Sequence, residues 1–158
     1  MKKINYLVGN SNFCHSPFKP FSEEVCDFLV SLSKEINFYK EIKNYPDLKA
    51  LAFWCRAQSI QKLKKNFNHE NNRLGLGIIF HVTPSNIPTN FAYSLIFGLI
   101  TGNSNIVKVP SKEFDQVKII CKLIKKILSK KKNFLKKKIT IIQYKENNEF
   151  TKKFSLIS

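Results

Sequence analysis

At 158 residues and 18.4 kDa, the chain is long enough to bury a core of its own. Apolar residues at 43%, fourteen of the 158 being Phe, exclude a disordered chain, and four scattered cysteines without metal-ligand spacing exclude a disulfide scaffold or zinc module. The net charge of +16 invites a nucleic-acid or acidic partner. However, the excess is lysine on solvated helix faces and in a loop, and an AT-rich coding sequence gives the same Lys, Asn, Ile and Phe richness.

Residues 1–20 read as irregular or edge structure, closed by Pro17 and Pro20. A helix follows, with Ser22 as N-cap, Glu23 and Glu24 at its positive end, and Val25, Phe28, Leu29, Leu32 and Ile36 as its apolar stripe. A second helix is predicted from Asp47, after Pro46, to about Leu63, and residues 66–73 form a polar connection. The pattern changes at Leu74. Leu76–Val82 is a nearly continuous apolar run, as in a strand buried on both faces. Pro84 to Pro88 breaks it, Pro88 suiting a first helical turn, and Asn90–Ile100 reads as an apolar helix stopped by Gly102-Asn103. Asn105–Val109 is a second strand ended by Pro110, and Phe114–Ser129 a strongly amphipathic helix. After a polar run at 130–133 come a third strand, Ile139–Tyr144, and a short last helix from about Glu146.

This order predicts an α/β fold. Two helices precede a partial Rossmann-type parallel sheet built as β-α-β-α-β-α, with a helical segment at 1–73 and an incomplete dinucleotide-binding half at 74–158. Ligands bind such sheets at the carboxyl ends of the strands, which are Thr83-Pro84-Ser85-Asn86 and Lys108-Val109-Pro110-Ser111 here. The GxGxxG fingerprint is absent, because Gly75 and Gly77 precede the first strand and cannot cradle a pyrophosphate after it. Asn86 by itself reads first as an Asx-turn residue bonding its own backbone, and the plain alternative for Lys108 is a strand-end lysine reaching solvent. His81 reads as a satisfied core histidine, Cys26 and Cys121 as buried structural thiols, and the adjacent Cys14 and His15 point apart. No apolar run has membrane-spanning or signal-peptide length, so a cytoplasmic protein is expected.

The stretch Gly77–Pro88, with its Pro-x-Asn-x-Pro turn, and the stretch Gly102–Glu113, with Gly-Asn-x-x-x-x-Lys, resemble the acyl-CoA reductase (LuxC) family. That family is a branch of the aldehyde dehydrogenase superfamily. Phe21 to Val25, Tyr45-Pro46-Asp47 and Ala52 to Arg56 are similar to it as well, so the likeness runs from about residue 21 onward. It implies an enzyme that moves an acyl group from CoA to a cysteine and reduces the thioester to a fatty aldehyde with NADPH. By the same resemblance, Asn86 is the oxyanion-hole donor and Lys108 reaches the adenine ribose of the cofactor. Thr83, Pro84, Ser85, Pro110 and Ser111 line the cofactor cleft, and no metal is implied. Lys108, Ser111 and Lys112 suit a 2′-phosphate, while Glu113 and Asp115 oppose it. No cysteine here lies in a segment like the family's nucleophile, and family members are much longer. The expectation is a truncated, inactive amino-terminal portion with its third strand left as an exposed edge. Its partners would be an acyl thioester and, as a homo-oligomer or with other reductase subunits, further protein chains. A basic protein binding nucleic acid or an acidic partner is the competing reading, which the lack of interleaved exposed aromatics disfavours.

Overall fold

A computed structural model of the chain describes residues 4–67, 73–129, 134–145 and 148–158. Four strands form one sheet: β1 (Asn5–Val8), β2 (Ile78–Val82), β3 (Ser104–Val109) and β4 (Ile139–Gln143), in the order β1-β4-β3-β2. β2, β3 and β4 are parallel, with Ile78 opposite Ser104 and Asn105 opposite Ile139, while β1 runs antiparallel to β4 with an irregularity between Tyr6 and Val8. The α/β class and the partial Rossmann-like sheet are as the sequence predicts.

The helices are α1 (Glu23–Asn37), α2 (Pro46–Trp54), α3 (Ala57–Asn66), α4 (Asn90–Ile100), α5 (Asp115–Ser129) and α6 (Asn148–Ser155). Alternate residues of each inner strand face opposite ways, so each strand feeds two cores. Val107, Val109, Ile139 and Ile141 pack with α1, α2, α4 and α5. On the other face, Ile78, Ile106, Ile142 and Tyr144 meet Phe154 of α6, with Phe80 and Phe150 beside them. The first core joins the amino-terminal helices to the sheet's own helical layer, through Leu29, Leu32 and Ile36 of α1 and Ile120 and Ile124 of α5.

Three expectations need correction. The third parallel strand is not an exposed edge, because β1 covers the outer side of β4. The segment between Pro46 and Leu63 is two helices: Arg56 is extended (φ −68°, ψ 153°), and the Ser59 hydroxyl donates to the Phe53 carbonyl while accepting from Arg56 Nε. Those bonds satisfy a carbonyl that a continuous helix would have bonded itself. Finally, Pro88 lies ahead of α4, whose N-cap is Thr89, and not in its first turn. Ser22 occupies the N-cap of α1 as expected, though without a side-chain cap bond, its hydroxyl being buried and unpartnered among the described residues. The polar run at 130–133 and the predicted helix start at Glu146 lie outside the described residues.

Candidate functional site

The carboxyl ends of β2, β3 and β4 are sewn together just where the chain leaves the sheet. Thr83 donates twice to the Lys108 carbonyl, from its backbone N–H (3.2 Å) and its hydroxyl (2.8 Å). Gln143 Nε2 donates to the Pro110 carbonyl (2.8 Å), and the Ser111 hydroxyl to the Tyr144 carbonyl (2.9 Å). The loops after β2 and β3 are therefore tied to neighbouring strand ends, and Thr83, Lys108, Pro110 and Ser111 fall on one edge. Thr83 and Pro110 are buried, so they offer a ligand little beyond backbone, whereas Pro84, Ser85, Asn86 and Ser111 are exposed.

Parity along β3 decides what Lys108 faces. It shares the side of Ile106, opposite Val107 and Val109, and its ammonium lies 5.0 Å from the centre of the Tyr144 ring. Tyr144 is buried against Phe154, and its hydroxyl meets Thr151 Oγ1 at 3.0 Å. The ring holds the lysine by a cation–π contact without neutralising it. The acids nearest in sequence are occupied elsewhere or turned to solvent. Glu113 is 2.5 Å from Lys118, whose hydrogen bond holds the carboxyl below the usual range, and Asp115 opens α5, exposed. Asn86 makes no side-chain hydrogen bond among the described residues, so nothing in its turn engages the amide.

A family model described as Acyl-CoA reductase (LuxC) matches residues 29–155, four fifths of the chain. The chain belongs to the acyl-CoA reductase (LuxC) family. Comparison with curated proteins and with solved structures returns no match.

In this LuxC chain the Gly-Asn pair lies at the far, amino edge of the sheet and builds structure. Gly102 takes φ +88°, accepts from Phe18 N–H (2.9 Å), and leaves no room for a side chain: a Cβ there would sit 2.1 Å from the Phe18 carbonyl oxygen. Asn103 Oδ1 accepts from the backbone N–H groups of Leu76 (2.6 Å) and Gly77 (3.2 Å), which sets the entry into β2. Asn105 Nδ2 donates to the Asn103 carbonyl (2.8 Å), leaving its Oδ1 to accept from His81 Nε2 at 2.8 Å. That geometry puts the imidazole proton on Nε2. Burial pulls the His81 pKa down against the opposing Asn105 bond, as for a neutral structural histidine.

The thiols divide by environment. Burial pushes Cys55 and Cys121 up to about 12 and raises Cys26 as well. Cys14 is lowered, chiefly by a hydrogen bond with Lys138, but its backbone N–H bonds the Lys137 carbonyl just before β4, on the amino edge. Among the described residues no three His, Cys, Asp or Glu side chains gather as a metal site, and no helix is long and apolar enough to cross a membrane. Sequence reasoning missed Tyr144 and Gln143 as partners of the two loops. The available signal was their position one past and at the end of the third parallel strand.

Proposed function

We propose that this chain provides the cofactor ledge and the oxyanion amide of an NADPH-dependent long-chain acyl-CoA reductase, and not its nucleophile. The observation that carries the reading is Lys108: an ammonium at a parallel-strand terminus, braced by an aromatic ring, with no described carboxylate paired to it. A 2′-phosphate needs a cation and the absence of a neighbouring acid, and these residues fit that group. Lys108 would hold the ribose phosphate, with the Pro84-Ser85 backbone along the cleft, and the Ser111 hydroxyl would join it by turning from the Tyr144 carbonyl to which it now donates. When bound, NADPH supplies the hydride.

Attack on a thioester carbonyl moves negative charge onto its oxygen, and a donor already aimed there avoids reorganisation. The Asn86 amide is uncommitted, and Pro84 and Pro88 restrict its mount. The nucleophile needs a thiolate beside this edge. Cys26, Cys55 and Cys121 are raised by burial, and Cys14 sits at the wrong end of the strands.

The test has two arms. Incubated with a long-chain acyl-CoA and NADPH, the chain alone should form no aldehyde above the protein-free rate. It should bind adenosine 2′,5′-bisphosphate more tightly than adenosine 5′-phosphate. Lys108→Met should weaken the bisphosphate by about 10- to 100-fold, the range for one charged hydrogen bond, and leave the monophosphate within about twofold. Aldehyde formation, or equal losses for both nucleotides, would contradict the proposal.

A further inference from the structure

A groove of about 380 Å³ runs between α5 and β1, on the opposite side of β4 from the Lys108 strand. Its floor includes Leu7, Val117 and Cys121, and one wall carries Lys118, Lys122 and Lys125. Those lysines recur at i, i+4 and i+7, so they form a single row about 10 Å long beside the apolar floor. Lys118 is already paired with Glu113, while Lys122 and Lys125 are exposed and have no acidic partner among the described residues.

We propose that this groove docks an acidic amphipathic helix from a partner protein. An apolar slot flanked by a cationic row at helical spacing is complementary to a helix with apolar anchors at i, i+3 or i+4 and i+7 and acids along one flank. A second copy of the chain does not suit it, because a two-fold contact would set this lysine row against itself and each copy carries +16. Nucleic acid would meet the lysines and leave the apolar floor unfilled.

The probe is a fluorescein-labelled peptide of about eighteen residues, five helical turns, with Leu on one stripe and Glu flanking it. A scrambled isomer of identical composition controls for charge. The protein is compared as wild type, as Lys122→Glu/Lys125→Glu, and as Lys152→Glu/Lys153→Glu on α6, which changes net charge equally at two other exposed sites. All four positions are exposed, so both variants should melt with the wild type. The amphipathic peptide should bind about tenfold tighter than its isomer. The groove variant should lose about tenfold or more and the α6 variant less than about threefold. Equal losses in the two variants, or equal binding of the isomer, would reduce the effect to net charge and overturn the proposal. So would displacement of the peptide by dodecanoate or by a single-stranded oligonucleotide, or a dimer that forms through the groove and loses Lys122 and Lys125 accessibility.

Discussion

The contact between Gly98 and Asn105 makes a prediction whose sign depends on the background. Gly98 lies inside α4, where alanine is ordinarily favoured by about 1 kcal/mol. Here a Cβ would stand 1.7 Å from Asn105 Oδ1, well inside contact distance. Gly98→Ala must therefore expel the Asn105 amide from a site where it is 1% exposed. That breaks its bonds to His81 and to the Asn103 carbonyl. Overpacking costs about 1–3 kcal/mol, and buried polar groups left without partners about 1–3 more. After subtracting the helix gain, Gly98→Ala should destabilise the chain by about 1–5 kcal/mol. Asn105→Ala removes the obstacle. In that background Gly98→Ala should be neutral or stabilising by up to about 1 kcal/mol, giving a coupling of about 1 kcal/mol or more. Urea denaturation of the four proteins measures the cycle. If Gly98→Ala shifts stability by the same amount in both backgrounds, the side chain of Asn105 is not what excludes a methyl group at 98.

Two further outcomes follow from the titrating groups. Burial holds His81 below its usual pKa, so below about pH 6.5 the unfolded chain takes up a proton that the native state refuses. Stability should fall with acidification through that window, and His81→Gln, which keeps a donor toward Asn105, should show a shallower fall; parallel stability–pH curves for the two proteins would rule this out. Among the four thiols, Cys14 is held low by Lys138 while the other three are raised. At neutral pH, iodoacetamide followed by mass spectrometry should find Cys14 alkylated first, and faster labelling of Cys55 or Cys121 would show that their burial is not maintained in solution.

The parallel core of the fold is legible because each of its signals is long. Ile139 to Ile142 is an unbroken β-branched run, Ile78 to Val82 is β-branched or Phe apart from His81, and α5 repeats its stripe over four turns. The features that escape reading are short or many-bodied. β1 has four residues and one fully buried side chain, too few for a period, and it becomes a strand because β4 offers an edge. The break between α2 and α3 depends on Arg56, Ser59 and Phe53 acting together, and no residue pair encodes it. At the candidate site, chain order puts Thr83 and Lys108 at strand ends. Which side of the sheet Lys108 takes, and that Tyr144 waits there, follows only from the register of β3 against β4.

The Gly-Asn-x-x-x-x-Lys stretch thus joins two unrelated demands at the two ends of one strand, β3. Asn103 and Lys108 are separated by five residues, about 16 Å of extended chain, so they sit at opposite edges of the sheet. At the amino edge Gly102 and Asn103 lock the entry to β2 against Phe18, Leu76 and Gly77, and any sequence keeping this packing must keep them whether or not it retains chemistry. At the carboxyl edge Lys108 is replaceable without loss of packing: it is partly exposed and makes one ring contact. The first pair therefore testifies to the fold, and under the proposed function only the lysine and the uncommitted Asn86 amide would bear on the reaction. It follows that substitutions at Gly102 or Asn103 should be read out in stability and those at Lys108 or Asn86 in ligand binding, so that loss of one property with retention of the other tells which half of the motif a variant has damaged.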